Sequence, residues 1–200
     1  MEIKLFNKWD TQNIKISDPG LQAYINLKPL IIPNTGGRNA RVRFGKRKMH
    51  LVERLVNKLM VTGHYSGGKK HYFTSGRNTG KKAMLTRVVE KAFDMIENST
   101  KKNPVQVLVE AVENGAPRAE ITSVEYGGVR HPVCVDSSPK RRLDLSLGLI
   151  AKGAMKRGIK NKSTLVQCLA EEITLASKND PKALSVEKRA ILEKQAEASR

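Results

Sequence analysis

Apolar residues return at intervals of three and four along several stretches of this chain, a spacing that commits each stretch to a helix with one buried stripe. From Met49 to Met60 the stripe is Leu51, Val52, Leu55, Val56 and Leu59, which leaves Arg54 and Lys58 to project from its flanks. From Lys81 to Asn98 it runs through Leu85, Val88, Val89, Ala92, Phe93 and Ile96. Asn103-Pro104 reads as a capping residue followed by a proline whose fixed φ suits the first helical position; Val105, Leu108, Ala111 and Val112 then share a face, and Gly115 closes the helix. Ser138-Pro139 repeats that start for a helix reaching about Arg157, with Leu143, Leu147, Ile150, Ala151 and Ala154 inward and Gly158 at its end. Ser163 to Ser177 and Ala183 to Ser199 supply two more. Aromatic residues make up only 4% of the chain against 39% apolar content, so the core must be aliphatic. The fold class is therefore mainly α, a bundle of about six helices, and 200 residues suit one core with an appended arm.

Three regions depart from the helical period. Residues 1–37 hold Asp18-Pro19-Gly20, Pro29, Pro33 and Gly36-Gly37, breakers too dense for a long helix, with room for a turn or two between Leu21 and Leu27. They predict an extended arm that runs into a basic segment, residues 1–48, ahead of a helical domain over 49–200. Gly63 to Gly80 reads as a loop rich in Gly, Ser, Lys and His. Between Arg118 and Asp136 the period falls to two around Gly127-Gly128, which predicts a β-hairpin at about 118–136 with Tyr126 opposite Val129, Val124 opposite His131 and Glu125 opposite Arg130. A lone two-stranded hairpin is marginal in water, so its base should rest on the helices while its tip projects.

The chain carries 37 Lys and Arg against 19 Asp and Glu, a formal charge of +18, and the excess is blocked. Arg38 to His50 contains six basic residues (Arg38, Arg41, Arg43, Lys46, Arg47, Lys48) and no acid. Lys69 to Lys91 contains seven with Glu90 opposing, and Pro139 to Lys162 contains eight with Asp144 opposing. A directional positive field of this kind suits a polyanion. Lys140, Arg141 and Arg142 fall in a helix's first turn, where positive charge opposes the macrodipole and calls for a negative partner such as phosphate. On this reading, replacing all three by Ala should cost the free protein little stability.

Catalysis and cofactors find no support. Ser75 to Lys82 imitates a phosphate-binding glycine loop, but three residues separate Gly76 from Gly80 where a P-loop needs four, and Lys82 follows Lys81 where Ser or Thr belongs. What survives is a grip on nucleic-acid phosphate by Arg77, Lys81 and Lys82. His131 and Cys134 lie on opposite faces of a strand, Cys134 and Cys168 have no zinc or disulfide spacing, and His50, His64, His71 and His131 form no metal pattern. No metal or cofactor is expected, and no enzyme. Nothing reads as a secretory signal or a membrane span, which points to the cytoplasm. Base-stacking aromatics are few, Tyr65, Tyr72, Phe73 and Tyr126, so recognition should rest on the shape and phosphates of folded RNA.

One ordered set of motifs resembles the universal small-subunit ribosomal protein seven family. It comprises Val52-Glu53-Arg54-Leu55 with Asn57-Lys58-Leu59-Met60, Gly80-Lys81-Lys82, Asn103 to Val109, Ala116-Pro117-Arg118, the Gly127-Gly128 hairpin, Val135 to Pro139 with Arg141-Arg142, and Leu169-Ala170-Glu171-Glu172. Asp18-Pro19-Gly20-Leu21, Tyr24 to Leu27, Pro33 to Arg38 and the ending Ala198-Ser199-Arg200 resemble the archaeal form. The resemblance implies a structural, non-catalytic protein of the ribosome, acting as a single copy, that binds the head region of small-subunit rRNA and aids its assembly beside small-subunit proteins nine and eleven. It implies rRNA contacts from Arg38 to Lys48, Arg54, Lys58, Arg77, Lys81, Lys82, Arg118, Lys140 to Arg142, Lys156, Arg157 and Lys160. The hairpin tip, Tyr126, Gly127, Gly128, Val129 and Arg130, would face exit-site tRNA and mRNA. Glu120 and Glu125 stand on the first hairpin strand where bacterial relatives are more basic. The alternative is a free-standing protein that compacts nucleic acid or chaperones RNA.

Overall fold

A computed structural model describes residues 3–39, 41–61, 64–66, 71–74, 78–158 and 161–199, the segments 64–66 and 71–74 by backbone only. Helix α1 (Pro19–Gln22) and a 3₁₀ turn (Gly45–Lys48) precede α2 (Leu51–Val61), the short strands β1 (His64–Ser66) and β2 (His71–Thr74), α3 (Lys82–Thr100) and α4 (Pro104–Gly115). Then come β3 (Ala119–Tyr126), β4 (Val129–Asp136), α5 (Pro139–Gly158), α6 (Leu165–Ser177) and α7 (Leu184–Ala198).

Local chemistry sets these boundaries. The Asn103 side chain accepts a hydrogen bond from the Val105 N–H at 3.0 Å with Pro104 in the first turn of α4, and Thr164 and Gln167 form a reciprocal capping box at the start of α6. Helix α6 packs against α3, α4, α5 and α7, and α2 against α3 and α5. The stripes meet in one aliphatic core that includes Leu55, Leu85, Phe93, Leu108, Leu147, Ile150, Leu169 and Ile173. Each such side chain taken out of water contributes about 1.5–3 kcal/mol.

The amino-terminal segment is irregular apart from α1, as its breakers imply, yet it is fastened to the helices along much of its length. Leu5 and Trp9 are buried in the core. Trp9 stands edge-on to Phe93, centroids 5.5 Å apart, and its Nε1 donates to Glu97 at 2.9 Å. Farther along, the backbone N–H groups of Ser17 and Asp18 both donate to Glu113 on α4.

Where composition predicts only a loop from Gly63 to Gly80, the structure has the antiparallel pair β1–β2. Aromatic residues with strong strand preference lie on both sides of Gly67-Gly68, and the surrounding glycines and lysines hide that signal. The hairpin β3–β4 has the register expected around Gly127-Gly128, including Tyr126 opposite Val129 and Glu125 opposite Arg130. Both turn glycines have positive φ, 58° and 77°, the conformation a tight two-residue turn requires. Its base packs on α7, whereas the strands beyond Ile121 are exposed or only partly covered.

Candidate nucleic-acid interface

The basic side chains divide into those neutralised within the protein and those left to solvent. In the first group, Arg54 is 4% exposed and donates to Asp144 of α5 at 3.2 Å, so it does not project from α2 as the stripe suggested. Arg142 is 8% exposed; its Nη2 donates to Asp18 at 2.6 Å and its Nε to the Pro117 carbonyl at 3.1 Å. Arg141 holds Glu120 at 2.7 Å, and Glu120 also accepts from the Ser137 hydroxyl. Arg157 donates to the buried Glu172 at 2.6 Å and to the Lys182 carbonyl at 2.8 Å. Lys82 holds the buried Glu53 at 2.6 Å and Asn34 at 3.0 Å. The negative partner that the first turn of α5 calls for is thus supplied at Arg141 and Arg142 by the protein's own carboxylates, and the burial and pairing of Arg142 argue against the expectation that these residues matter little to stability. The acids on the first hairpin strand find their roles here too, since Glu120 braces α5 and Glu125 pairs loosely with Arg130 at 3.7 Å.

The second group is concentrated between Arg38 and Lys48, all of whose basic residues are exposed. Among the described residues Arg41 and Lys48 have no carboxylate partner, and Arg38 reaches only the Thr35 carbonyl at 3.3 Å. Arg47 donates to the Ala23 carbonyl and lies 5.5 Å from the Tyr24 ring centroid. Arg43 and Lys140 both lie against Phe44. Lys81 and Arg118 are also exposed. Arg77 and Lys160 lie outside the described residues.

Asp144 links the groups. It accepts from Arg54 and from Lys46, each at 3.2 Å. Burial alone would raise its carboxyl pKa, but Arg54 and Lys46 outweigh it and hold the group below its ordinary value, so it stays ionised. Burial lowers the pKa of neighbouring Lys58, and Lys46, Arg54 and Lys152 add repulsion against the attraction of Asp144. Crowding of this kind favours an added anion. Lys58, Asp144, Gly148 and Lys152 line a groove of about 270 Å³ between α2 and α5. Lys152, which the motif comparison did not single out, follows Asp144 and Gly148 at steps of four along one α5 stripe, a spacing visible in the sequence. Phe44 was missed as well: it is 55% exposed, a solvent-facing aromatic inside the most basic segment. At the hairpin tip Tyr126 is 82% exposed, and Val129 opposite it is exposed as well.

Polarity differs elsewhere. A concavity of about 880 Å³ near the hairpin base and α7 is lined by Asp18, Glu110, Glu113, Glu193 and Glu197, with Arg118 and Arg189. Among the described residues no group of His, Cys, Asp and Glu has metal-binding geometry, and no helix is long and apolar enough to cross a membrane.

Residues 21–200 match the family model of ribosomal protein S7p/S5e. The small ribosomal subunit protein uS7 of Nanoarchaeum equitans is 45% identical over 200 residues, the full length of both chains. The uS7 protein of Methanosphaera stadtmanae is 47% identical over 189 residues, 94% of each chain, and that of Methanococcus aeolicus 48% identical over 201 residues, again the full length of both.

Proposed function

Because the chain belongs to the ribosomal protein S7p/S5e family, whose members are structural and non-catalytic parts of the ribosome, we propose that it binds the head region of small-subunit rRNA. It is a constituent of the small subunit and works with the cytoplasmic ribosome. The exposed Arg38 to Lys48 segment, with Lys58, Lys81, Arg118, Lys140 and Lys152, grips the RNA backbone. The internally paired Arg54, Lys82, Arg141, Arg142 and Arg157 hold the scaffold that presents those cations. The hairpin tip from Tyr126 to Arg130 reaches toward exit-site tRNA and mRNA, and small-subunit proteins nine and eleven are the neighbours.

One observation carries this reading: among the described residues a block of exposed cations, most with no carboxylate, stands on a core whose other arginines are neutralised from within. A protein meant only to be soluble has no need of such segregation, whereas phosphate binding requires it. Chemical probing of small-subunit rRNA with and without the chain tests it. Protection confined to one folded region supports the proposal; equal affinity for random duplex DNA supports a free-standing nucleic-acid-compacting or RNA-chaperone protein instead.

A further inference from the structure

Phe44 has an unusual combination of backbone, exposure and neighbours. Its φ is 60° and its ψ 15°, the left-handed region that bulky side chains seldom enter. The turn around it is tightly held. The Gly45 N–H donates to the Val42 carbonyl at 2.9 Å, and the Phe44 carbonyl accepts from the Arg47 N–H at 3.0 Å. Gly45 itself is buried so closely against the Asn39 carbonyl that a side chain would collide with it. With this backbone Phe44 is 55% exposed rather than tucked into the core. Two cations lie over the ring: the guanidinium of the adjacent Arg43 is 5.2 Å from its centroid, and the ammonium of Lys140, brought in from the first turn of α5, is 5.8 Å away. Among the described residues neither has a carboxylate partner, although Arg141 and Arg142 beside Lys140 do.

A half-exposed aromatic ring with two unneutralised cations close to it matches a flat base joined to phosphates. We propose that Phe44 is a stacking platform for one unpaired RNA base, with Arg43 and Lys140 holding the phosphates on either side of it. This rests on the rRNA-binding reading and adds to it a place where a base, and not only the backbone, is engaged. Stacking accepts any base, because each presents a π-face, so the platform selects unpaired over paired RNA and does not select sequence.

Two measurements on the full chain test it. The first is tryptophan emission of Phe44→Trp, with buried Trp9 as an unresponsive background. Single-stranded poly(A) should quench the introduced indole, and inorganic polyphosphate, which has the charge without the bases, should not. The second is affinity for small-subunit rRNA. Phe44→Leu should weaken binding about 5- to 140-fold at every salt concentration without changing the salt slope, while Phe44→Tyr keeps the wild-type affinity. Equal quenching by polyphosphate, no response to poly(A), or wild-type affinity in Phe44→Leu would each overturn the platform. An indole response to poly-glutamate but not to poly(A) would also overturn it, in favour of an acidic protein segment as the occupant. If wild-type protein shows no preference for rRNA over random duplex DNA while poly(A) still quenches the Phe44→Trp variant, the ribosomal reading fails and the platform stands.

Discussion

Replacing Arg142 by Ala removes a guanidinium that ties three distant segments together. The side chain is 10% exposed and makes two hydrogen bonds, to the Asp18 carboxylate at 2.6 Å and to the Pro117 carbonyl at 3.1 Å. The first joins α5 to the amino-terminal segment and the second to the lead-in of the hairpin. A charge-assisted bond of this kind contributes roughly 1.5–3 kcal/mol, and the orphaned Pro117 carbonyl adds about 1 kcal/mol more. The Asp18 side chain is 18% exposed and keeps the Gly20 N–H, so water and that amide recover part of the loss. A net cost of about 3 kcal/mol follows, below the upper range for breaking a fully buried pair. In a domain of this size each kcal/mol lowers Tm by about 2–4 °C, so thermal denaturation followed by circular dichroism should show a drop of about 6–12 °C. Acid sharpens the test. Burial pushes the Asp18 pKa up, but Arg142 and the Gly20 N–H more than offset it, leaving the pKa below its usual 3.8. A depressed carboxyl pKa contributes stability above the unfolded value that is lost as pH falls through the folded one. The gap between wild type and Arg142→Ala should therefore narrow below about pH 4. A neutral-pH Tm within about 2 °C of wild type would refute the claim that Arg142 is a structural cation.

His50 is fully buried, its Nδ1 accepts from the Val52 N–H at 3.2 Å, and burial lowers its pKa from 6.5 to about 4 against the opposing pull of Glu53. The folded state excludes a proton that the unfolded state binds, so stability should fall by roughly 3 kcal/mol as pH drops from 6.5 toward 4. In His50→Asn, which keeps an acceptor for Val52, denaturant melts across that window should show a shallower fall. A methyl group on Gly153 would collide with the Glu172 carboxylate, which is held by Arg157 and the Leu184 N–H. Gly153→Ala should therefore destabilise by about 1–2 kcal/mol in denaturant titration, despite alanine's better helix propensity. Glu125→Ala breaks only an exposed 3.7 Å pair and should shift Tm by less than about 2 °C.

What could be read before folding, and what could not, divides along sequence separation. The start of α4 at Asn103-Pro104, the stripes of α2, α3 and α5 and the register about Gly127-Gly128 are set by residues a few positions apart, and the period of the chain reveals them. The fate of a cation is set by acids far away. Arg54 meets Asp144 across 90 residues, and Arg142 meets Asp18 across 124. A local count therefore treats Lys140, Arg141 and Arg142 alike, although one lies against an aromatic ring, one braces the hairpin and one is buried. The anchoring of Trp9 is illegible for the same reason, because its partners Phe93 and Glu97 are on α3. The β1–β2 pair is hidden by local composition instead. Phe44 leaves only a faint trace, an aromatic inside an acid-free basic run.

The division between structural and RNA-binding cations is tested most directly by the salt dependence of rRNA affinity in two variants. Arg38, Arg41 and Lys48 changed together to Ala should reduce the slope of log affinity against log salt by about 2–3, at roughly 0.7–0.9 per phosphate contact, with Tm unchanged. Arg142→Ala should lower Tm and keep the slope. A triple variant that retains the wild-type slope, or loses as much Tm as Arg142→Ala, would contradict the account.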